Sequence, residues 1–289
     1  MAEKRKLDTR ALGLDVGLAF SRFLTGKENL HYGLWDAEWD VCAANMGRAQ
    51  EAYTDKLFRM LPEGENLQIL DIGGGAGETA RKLLAMGHQV EIVIPSTFLA
   101  ERCRKNATGA LVHECRFEDF QSEKRFDLCL FSESFQYIPL SHSLGKCLTL
   151  LNKTGRIIVA DCFRTDAYFS DHSDLAKVGG GHALTDFRAL LADLPLRVEV
   201  EVDVTEAVAP SVEVEQELFN VIGYAIRRAD EGLGAAHPLL TKGMRGIVRL
   251  MLNRRRRDRL DQRLNQNTRS AKNFQRYNTY LMLKLAPKS

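Results

Sequence analysis

Short apolar runs alternate with helix-like segments along most of this chain of 289 residues. Seven runs have the length and apolar content of strands, at residues 69–72, 89–94, 110–114, 126–131, 156–163, 196–204 and 277–285. Helical spacing of apolar residues occurs at residues 7–26, 46–60, 78–86, 98–106, 141–151 and 183–194. This order of elements predicts an α/β fold in which helices cover a sheet.

The pattern changes between the sixth and the seventh strand-like run. Two amphipathic helices are predicted there, one from residue 211 to residue 229 and one from residue 239 to about residue 264. The sequence therefore predicts a helical segment at residues 1–60, an α/β core at residues 61–206, a helical insertion at residues 207–270 and a last core strand at residues 271–289.

A glycine-rich turn follows the first strand-like run. Asp71 lies near the end of that run, and Gly73, Gly74, Gly75 and Gly77 come directly after it. Glycines allow positive φ angles and let a ligand lie against bare backbone, and the N–H groups of the helix that follows favour a polar or anionic group. A purely structural turn would have the same form. A nicotinamide fingerprint is disfavoured, because its third glycine would fall at residue 78, which is Glu.

Three phrases of the sequence resemble class I methyltransferases that depend on S-adenosylmethionine (SAM). Residues 71–77 resemble the first motif of that family. Residues 132–139, with Glu133, Ser134 and Pro139, resemble a motif of tocopherol and related small-molecule methyltransferases, although Gln136 and Tyr137 replace a Glu and a His. Residues 31–35 are similar to the segment that precedes the core in the tocopherol, glycine/sarcosine, sterol and cyclopropane-fatty-acid group.

The resemblance implies a seven-stranded Rossmann-like sheet, an N-terminal helical segment and a helical cap inserted before the last strand. It implies SAM as cofactor and a small-molecule acceptor. No set of metal ligands is visible in the sequence, so no metal is expected. The residues expected to bind SAM are Tyr32, Asp71, Gly73, Gly74, Gly75, Gly77, Ser96, Phe117, Glu118 and Ser132. If the acceptor must lose a proton, the candidates for the base are Glu133, Tyr137 and His182. His31 is expected to be structural. For Glu118 the alternative to cofactor binding is a solvated acidic turn, and for His182 the alternative to a catalytic role is simple exposure to solvent.

The sequence departs from the family at the end of the second strand. The family places an acid there that accepts hydrogen bonds from the ribose hydroxyls, and this chain has Ile94. An aliphatic side chain cannot accept them. Ser96, Thr97 or water then takes that role, or the chain does not bind SAM.

Charge and cysteine content limit the binding partners and the cellular compartment that we expect. The formal net charge is +2, which gives no general case for nucleic acid. Residues 241–289 carry 14 Lys and Arg against 2 acids, a net charge of +12. The run Arg254–Arg257 is interpreted as a solvated helix face, with an anionic membrane surface as the alternative. The six cysteines have no metal-type spacing, and we expect reduced thiols in a cytoplasmic protein without a signal peptide.

The main hypothesis is an enzyme that transfers a methyl group from SAM to a small molecule. The alternatives are a non-catalytic protein that keeps the fold, and a lipid-modifying methyltransferase at a membrane surface. The sequence identifies neither the acceptor atom nor the oligomeric state.

Overall fold

The computed structural model describes residues 9–173, 177–251 and 253–288, and a seven-stranded sheet forms its centre. The strands are β1 Gln68–Ile72, β2 Gln89–Val93, β3 Leu111–His113, β4 Phe126–Ser132, β5 Leu151–Arg164, β6 Leu196–Asp203 and β7 Asn278–Pro287. Their order is β3-β2-β1-β4-β5-β7-β6, and β7 runs antiparallel to β5 and β6 whereas the other pairs are parallel. The predicted α/β fold with a seven-stranded sheet is confirmed.

Helices connect the strands and cover both faces of the sheet. They are α1 Thr9–Thr25, α2 Met46–Phe58, α3 Glu78–Ala85, α4 Thr97–Asn106, α5 Leu144–Leu150, α6 Asp166–Ser170, α7 Leu184–Asp193, α8 Thr205–Val208, α9 Pro210–Ala236, α10 Pro238–Met251, α11 Arg254–Asn265 and α12 Ala271–Tyr277. Within the described ranges, no helix is both long enough and apolar enough to cross a bilayer.

Two apolar clusters lie on opposite faces of the sheet, as the alternation of side chains along a strand requires. On β1, Ile69 belongs to the cluster that contains Tyr53 and Leu83, and the neighbouring Leu70 belongs to the cluster that contains Phe131. Both clusters are built from residues that are almost completely buried. The sheet is therefore fixed from both sides, which leaves the ends of its strands as a rigid support for a site.

The predicted single helix at residues 239–264 is wrong. The structure has α10 and α11 instead, and both pack against α9. Gly223 of α9 lies so close to the Leu264 carbonyl that a side chain at Gly223 would overlap it. A straight helix of this length would extend about 39 Å and could not return along α9. The short helices α6 and α12 were also not predicted, and the predicted seventh strand begins at Asn278 because Tyr277 ends α12.

The start of α9 is tied to the N-terminal segment by one buried hydroxyl. Ser211 Oγ accepts hydrogen bonds from the Gly33 N–H and from Trp35 Nε1, each at 2.9 Å. The far part of the insertion is more exposed, with Leu239 at 83% and Arg254 on a solvated surface. Whether the insertion covers an acceptor, and whether the chain divides into the four predicted segments, stay predictions.

Candidate active site

A cavity of about 960 Å³ opens at the carboxyl ends of β1, β2 and β4. Ligands of open α/β sheets bind at this edge. The lining includes the glycine turn, the segment after β2, the loop after β4 and part of the N-terminal segment. Of the residues predicted from the sequence, the lining contains Asp71, Gly73, Gly74, Gly75, Ser96, Phe117, Glu118, Ser132, Glu133 and Tyr137.

The glycines of the turn have different physical roles. A side chain at Gly73 would overlap Ser134, and a Cβ at Gly74 would lie 2.6 Å from Asp71 Oδ2. At Gly75, where φ is +56°, the nearest atom to such a Cβ is Leu30 Cδ1 at 3.9 Å. Gly77 packs against the Cys103 backbone and is not part of the cavity lining. Gly73 and Gly74 therefore permit close packing, whereas Gly75 presents bare backbone to the cavity.

Asp71 places a carboxylate at the floor of the cavity. Its side chain is 1% exposed, and its Oδ2 atom has no hydrogen-bond partner within the described chain. Burial raises the pKa of this carboxyl to about 7. A buried acceptor without a partner costs free energy, so a cationic or N–H-bearing ligand group would stabilise this wall.

The wall after β2 is apolar at the position of the expected acid. Ile94 is 3% exposed and belongs to the core cluster that contains Leu99. The hydroxyls beside it already have protein partners, because Ser96 Oγ accepts from the Leu99 N–H at 3.4 Å and Thr97 Oγ1 bonds Glu114. The structure thus repeats the departure seen in the sequence, because the side chain at this position is apolar and buried.

The loop after β4 holds a half-buried carboxyl in a strained backbone conformation. Glu133 has φ +55°, one of two positive-φ residues other than glycine in the described ranges. Its Oε1 accepts from the Tyr32 N–H at 2.7 Å and from the Tyr280 hydroxyl at 3.1 Å. Burial raises the pKa of Glu133 to about 8. Such strain persists only where the surrounding structure enforces it, and it is frequent at functional sites.

Two further hydrogen bonds between hydroxyl groups continue from the contact between Tyr280 and Glu133. The Tyr280 hydroxyl lies 2.9 Å from that of Tyr53, which lies 3.2 Å from Ser132 Oγ. Glu133 is therefore held at one oxygen by a chain of hydroxyls that runs from β7 through α2 to the end of β4. Tyr53 and Tyr280 were not identified from the sequence.

Gln136, which replaces a family Glu, is fixed by a second buried acid. Its backbone N–H and its Nε2 donate to the two carboxylate oxygens of Asp161, each at 3.0 Å. Burial raises the pKa of Asp161 to about 7. The neutral amide therefore serves to satisfy a carboxylate on β5, and Asp161 was not identified from the sequence.

Two further predicted residues, His182 and Tyr32, are not part of the cavity lining. His182 Nε2 lies 2.9 Å from the Ile138 carbonyl and 3.2 Å from that of Phe135, so its N–H supports the loop after β4. The Tyr32 ring packs edge-on against Phe274, and its contribution to Glu133 comes from the backbone. Tyr137 is in the lining and is 65% exposed.

Two residues of the N-terminal segment join the lining without having been assigned to the site. Asn29 and His31 are 5% and 8% exposed, and Asn29 Nδ2 and His31 Nε2 have no partner in the part of the chain that the structure describes. The sequence predicts a structural role for His31. A polar residue in an irregular segment carries no periodic signal that would separate a ligand contact from a loop contact.

Comparison with known proteins identifies the fold and the chemistry. Residues 70–159 match the family model described as a methyltransferase domain. The chain is 28% identical over 200 residues to 27-O-demethylrifamycin SV methyltransferase of Amycolatopsis mediterranei, a match that covers 64% of this chain and 72% of that protein.

Solved structures agree over nearly the whole chain. The cyclopropane synthase MmaA2 of Mycobacterium tuberculosis has a TM-score of 0.67 at 14% identity, covering 98% of this chain and all of that one. Geranyl diphosphate C-methyltransferase of Streptomyces coelicolor has a TM-score of 0.64 at 15% identity, covering 98% and 99%. These two similarities establish the class I Rossmann-like methyltransferase fold.

The chain is therefore an enzyme with a SAM-dependent methyltransferase domain, and its cavity fits the cofactor. The bare backbone at Gly75 leaves room for the methionyl part, and the unpartnered Asp71 oxygen suits an ammonium group. Phe117 and Glu118 lie at the edge where the family resemblance places adenine. The individual roles of these residues stay predictions.

Proposed function

We propose that this enzyme methylates a hydroxyl oxygen of a small, partly apolar molecule, and that Glu133 is the general base. The observation that carries this proposal is the Glu133 carboxyl: it lines the cavity, it is held by two donors at one oxygen, and its pKa is raised to about 8. A base with a pKa near the working pH combines a usable ionised fraction with strength as a proton acceptor.

In the proposed reaction the Glu133 carboxylate has one chemical role, which is to accept a proton. When bound, SAM supplies the sulfonium methyl group, and the electron pair of the broken carbon–sulfur bond stays on sulfur. The acceptor oxygen forms the new bond to carbon, and its proton goes to Glu133. The Tyr32 N–H and the Tyr280 hydroxyl keep the carboxylate oriented, so that orientation contributes to the rate together with proton removal.

The proposal draws on one relative for the acceptor atom. The Amycolatopsis protein is named as an O-methyltransferase of a rifamycin, and it matches this chain over most of its length. The apolar groups around the site, among them Ile138 and Phe98 of the lining, favour an acceptor with apolar surface. We also propose a cytoplasmic location, no nucleic-acid partner and no stable membrane docking, on the evidence of the unpaired cysteines and the near-zero net charge.

The test is a panel of phenolic, aliphatic hydroxyl and amine acceptors, with S-adenosylhomocysteine release as the readout. We expect turnover of hydroxyl acceptors that rises with pH toward an apparent pKa near 8. Glu133→Gln keeps an oxygen for both donors, so it should bind S-adenosylhomocysteine within about twofold of wild type while losing at least about 100-fold in rate.

Glu91→Gln is the matched control, because Glu91 is a buried carboxyl that pairs with His113 and Lys124 outside the cavity. An unchanged rate and pH profile in Glu133→Gln would contradict the role of the base. Turnover of amines alone would contradict the acceptor class.

A further inference from the structure

Two consecutive residues of β5 hold the loop that carries Glu133. The Ala160 carbonyl accepts the Glu133 N–H at 2.8 Å. Asp161, which follows and is 0% exposed, accepts the Gln136 N–H at Oδ2 and the Gln136 Nε2 group at Oδ1, each at 3.0 Å. Since β5 lies between β4 and β7 in the sheet, the loop is fixed at two points to a rigid strand.

Asp161 is suited to this task by its carboxylate. Its Oδ1 also accepts the Cys162 N–H at 2.8 Å, so three N–H groups converge on the two oxygens. Such donors favour an ionised carboxyl. An amide in its place would direct its own N–H groups at one or more of these donors. Asp161 is not part of the cavity lining, and it can therefore influence the reaction only through the loop and through its charge.

The turn Phe135–Tyr137 is also held from the side opposite Asp161. A side chain at Gly180 would overlap Gln136 Oε1, so the amide packs directly on the Gly180 backbone. Gly180 is itself fixed, because its carbonyl accepts from Asn278 Nδ2 at 2.9 Å. The Gln136 side chain thus has no room to leave Asp161. A strained φ such as that of Glu133 persists only where the surrounding structure enforces it in this way.

We propose that Asp161 and Gln136 are a positioning pair for the Glu133 carboxyl. Asp161 holds the turn that follows Glu133, and the turn keeps Glu133 in its strained conformation with the carboxyl in the cavity. The inference rests on the proposed role of Glu133 as the base. It assigns to Asp161 a share of the rate of methyl transfer without contact to the cofactor or the acceptor, since a small displacement of a catalytic group is costly.

The charge of Asp161 gives the pair a second, measurable effect on Glu133. Burial is the largest cause of the raised pKa of Glu133, and the neighbouring Asp161 charge raises it further. Replacing Asp161 by a neutral residue should therefore lower the pKa of Glu133. The titratable groups that interact electrostatically with Glu133 are Tyr32, Tyr53 of α2, Asp161 and Cys162 of β5, Glu215 of α9 and Tyr280 of β7.

Steady-state kinetics as a function of pH test the pair, with the most active hydroxyl acceptor of the panel described above. Asp161→Asn has the shape of the wild-type side chain. It should lower kcat by about tenfold or more and leave the KM for SAM within about twofold, because the base is displaced and the cofactor is not. The apparent pKa of the rate profile should shift to lower pH.

Reversing the pair provides a rescue that a merely structural contact would not give. In Gln136→Glu two carboxyls face each other and cannot both ionise without repulsion, so the rate should fall relative to wild type as pH rises. In the double variant Asp161→Asn with Gln136→Glu, the Asn amide donates to the new carboxylate. Its kcat should exceed that of Asp161→Asn by about threefold or more, a coupling of the size expected for residues in contact.

Gln136→Met is the second variant if Asp161→Asn does not fold. It keeps the backbone N–H and the Asp161 carboxyl, and it removes only the Nε2 donor. We expect kcat to fall about threefold or more with the KM for SAM unchanged. Carboxyl-carbon NMR of protein made with isotope-labelled glutamate follows Glu133 without turnover, and the signal is assigned by its absence in Glu133→Gln. Its titration should shift to lower pH in Asp161→Asn.

Asp127→Asn is the matched control. Asp127 also accepts a backbone N–H, that of Gln68 at 2.8 Å, and a side-chain amide, that of Asn152, but it lies at the start of β4 outside the cavity lining. Its kcat and pH profile should equal those of wild type. Equal losses in Asp127→Asn and Asp161→Asn would overturn the proposal, as would an unchanged kcat in Asp161→Asn.

The same measurements separate this inference from the proposed function. If Glu133→Gln keeps the wild-type rate, the role of Glu133 as the base fails, and the positioning of a base fails with it. If Glu133→Gln loses activity and Asp161→Asn keeps the wild-type kcat and pH profile, only the positioning pair fails and the proposed function stands.

Discussion

Gly75 is the residue of the glycine turn where a side chain would enter the cavity. Its φ of +56° disfavours any other residue, and the open space above it leads to the cofactor site. We expect Gly75→Val to abolish measurable binding of S-adenosylhomocysteine, because the side chain would occupy the space of the methionyl part. The folded protein should persist, since the conformational strain of such a residue is about 1–3 kcal/mol.

Gly87→Val is the control for that strain. Gly87 has φ +89°, and no atom lies within 4 Å of where its side chain would begin. Calorimetry should show cofactor affinity near wild type in this variant, with a comparable fall in melting temperature. Retained affinity in Gly75→Val would mean that the cofactor does not lie on the turn.

Residues with a fixed sequence pattern were identified before the structure, and residues without one were not. The glycine turn and Glu133 lie in phrases of recognisable spacing, and the cavity contains both. Tyr280 contributes through its hydroxyl group alone, and the importance of that group depends on the Glu133 carboxyl opposite it, which only the folded chain brings there. At Ile94 the sequence lacks the acid that the family has at this position, and the structure adds that Ile94 is part of the apolar core.

At the scale of elements, Ser211 connects the insertion to the segment that forms the site. Its hydroxyl serves the Gly33 N–H and the indole N–H of Trp35, both buried. Ser211→Ala leaves these two donors unpaired. We expect a loss of about 1–3 kcal/mol in the free energy of unfolding for each donor that water does not reach. Urea denaturation measures it, with Ser122→Ala as control, because the Ser122 hydroxyl also accepts from a backbone N–H, that of Lys124, but in an exposed contact.

The same variant tests whether this contact transmits to Glu133. Tyr32, the neighbour of Gly33, donates its N–H to Glu133. We therefore expect a shift in the pH profile of methyl transfer in Ser211→Ala, whereas cofactor affinity should change little. A stability equal to wild type would mean that water replaces the hydroxyl and that the contact does not fix the segment.

The positions of the strands along the chain could be predicted from periodicity, and the arrangement of the insertion could not. Each strand of the core repeats a short apolar pattern with turn residues at its ends, and this local pattern is enough to locate it. The separation of α10 from α11 depends on their common packing against α9, which no local window contains. α12 is short and includes the first residue of the predicted strand, so its polar sequence gave no periodic signal.

At the scale of the whole molecule, the edge of the sheet concentrates three buried or half-buried acids. Burial raises the pKa of Glu133 to about 8 and those of Asp71 and Asp161 to about 7. The side chains belong to three different strands or loops that meet at one edge. The fold tolerates this because each acid can stay protonated, and because Glu133 and Asp161 accept hydrogen bonds from neighbouring protein groups.

This arrangement predicts an unusual dependence of stability on pH. Between the ordinary pKa of a carboxyl and its raised value, the folded chain holds a proton that the unfolded chain has released. The free energy of unfolding therefore falls as pH rises, by about 1.4 kcal/mol per pH unit for each such carboxyl. His31, with its pKa lowered to about 4, acts in the opposite direction, but only below its ordinary value of 6.5. The window from pH 6.5 to 8 isolates the acids.

We expect the melting temperature of the cofactor-free enzyme to fall from pH 6.5 to pH 8, with most of the decrease above pH 7 due to Glu133. Glu133→Gln lacks this titrating carboxyl and should flatten the dependence of the melting temperature on pH between pH 7 and 8, whereas Glu91→Gln should keep the wild-type slope. Saturating S-adenosylhomocysteine should reduce the fall, because its ammonium group stabilises the ionised Asp71. A melting temperature that rises across this window would contradict the burial of uncharged acids at the site.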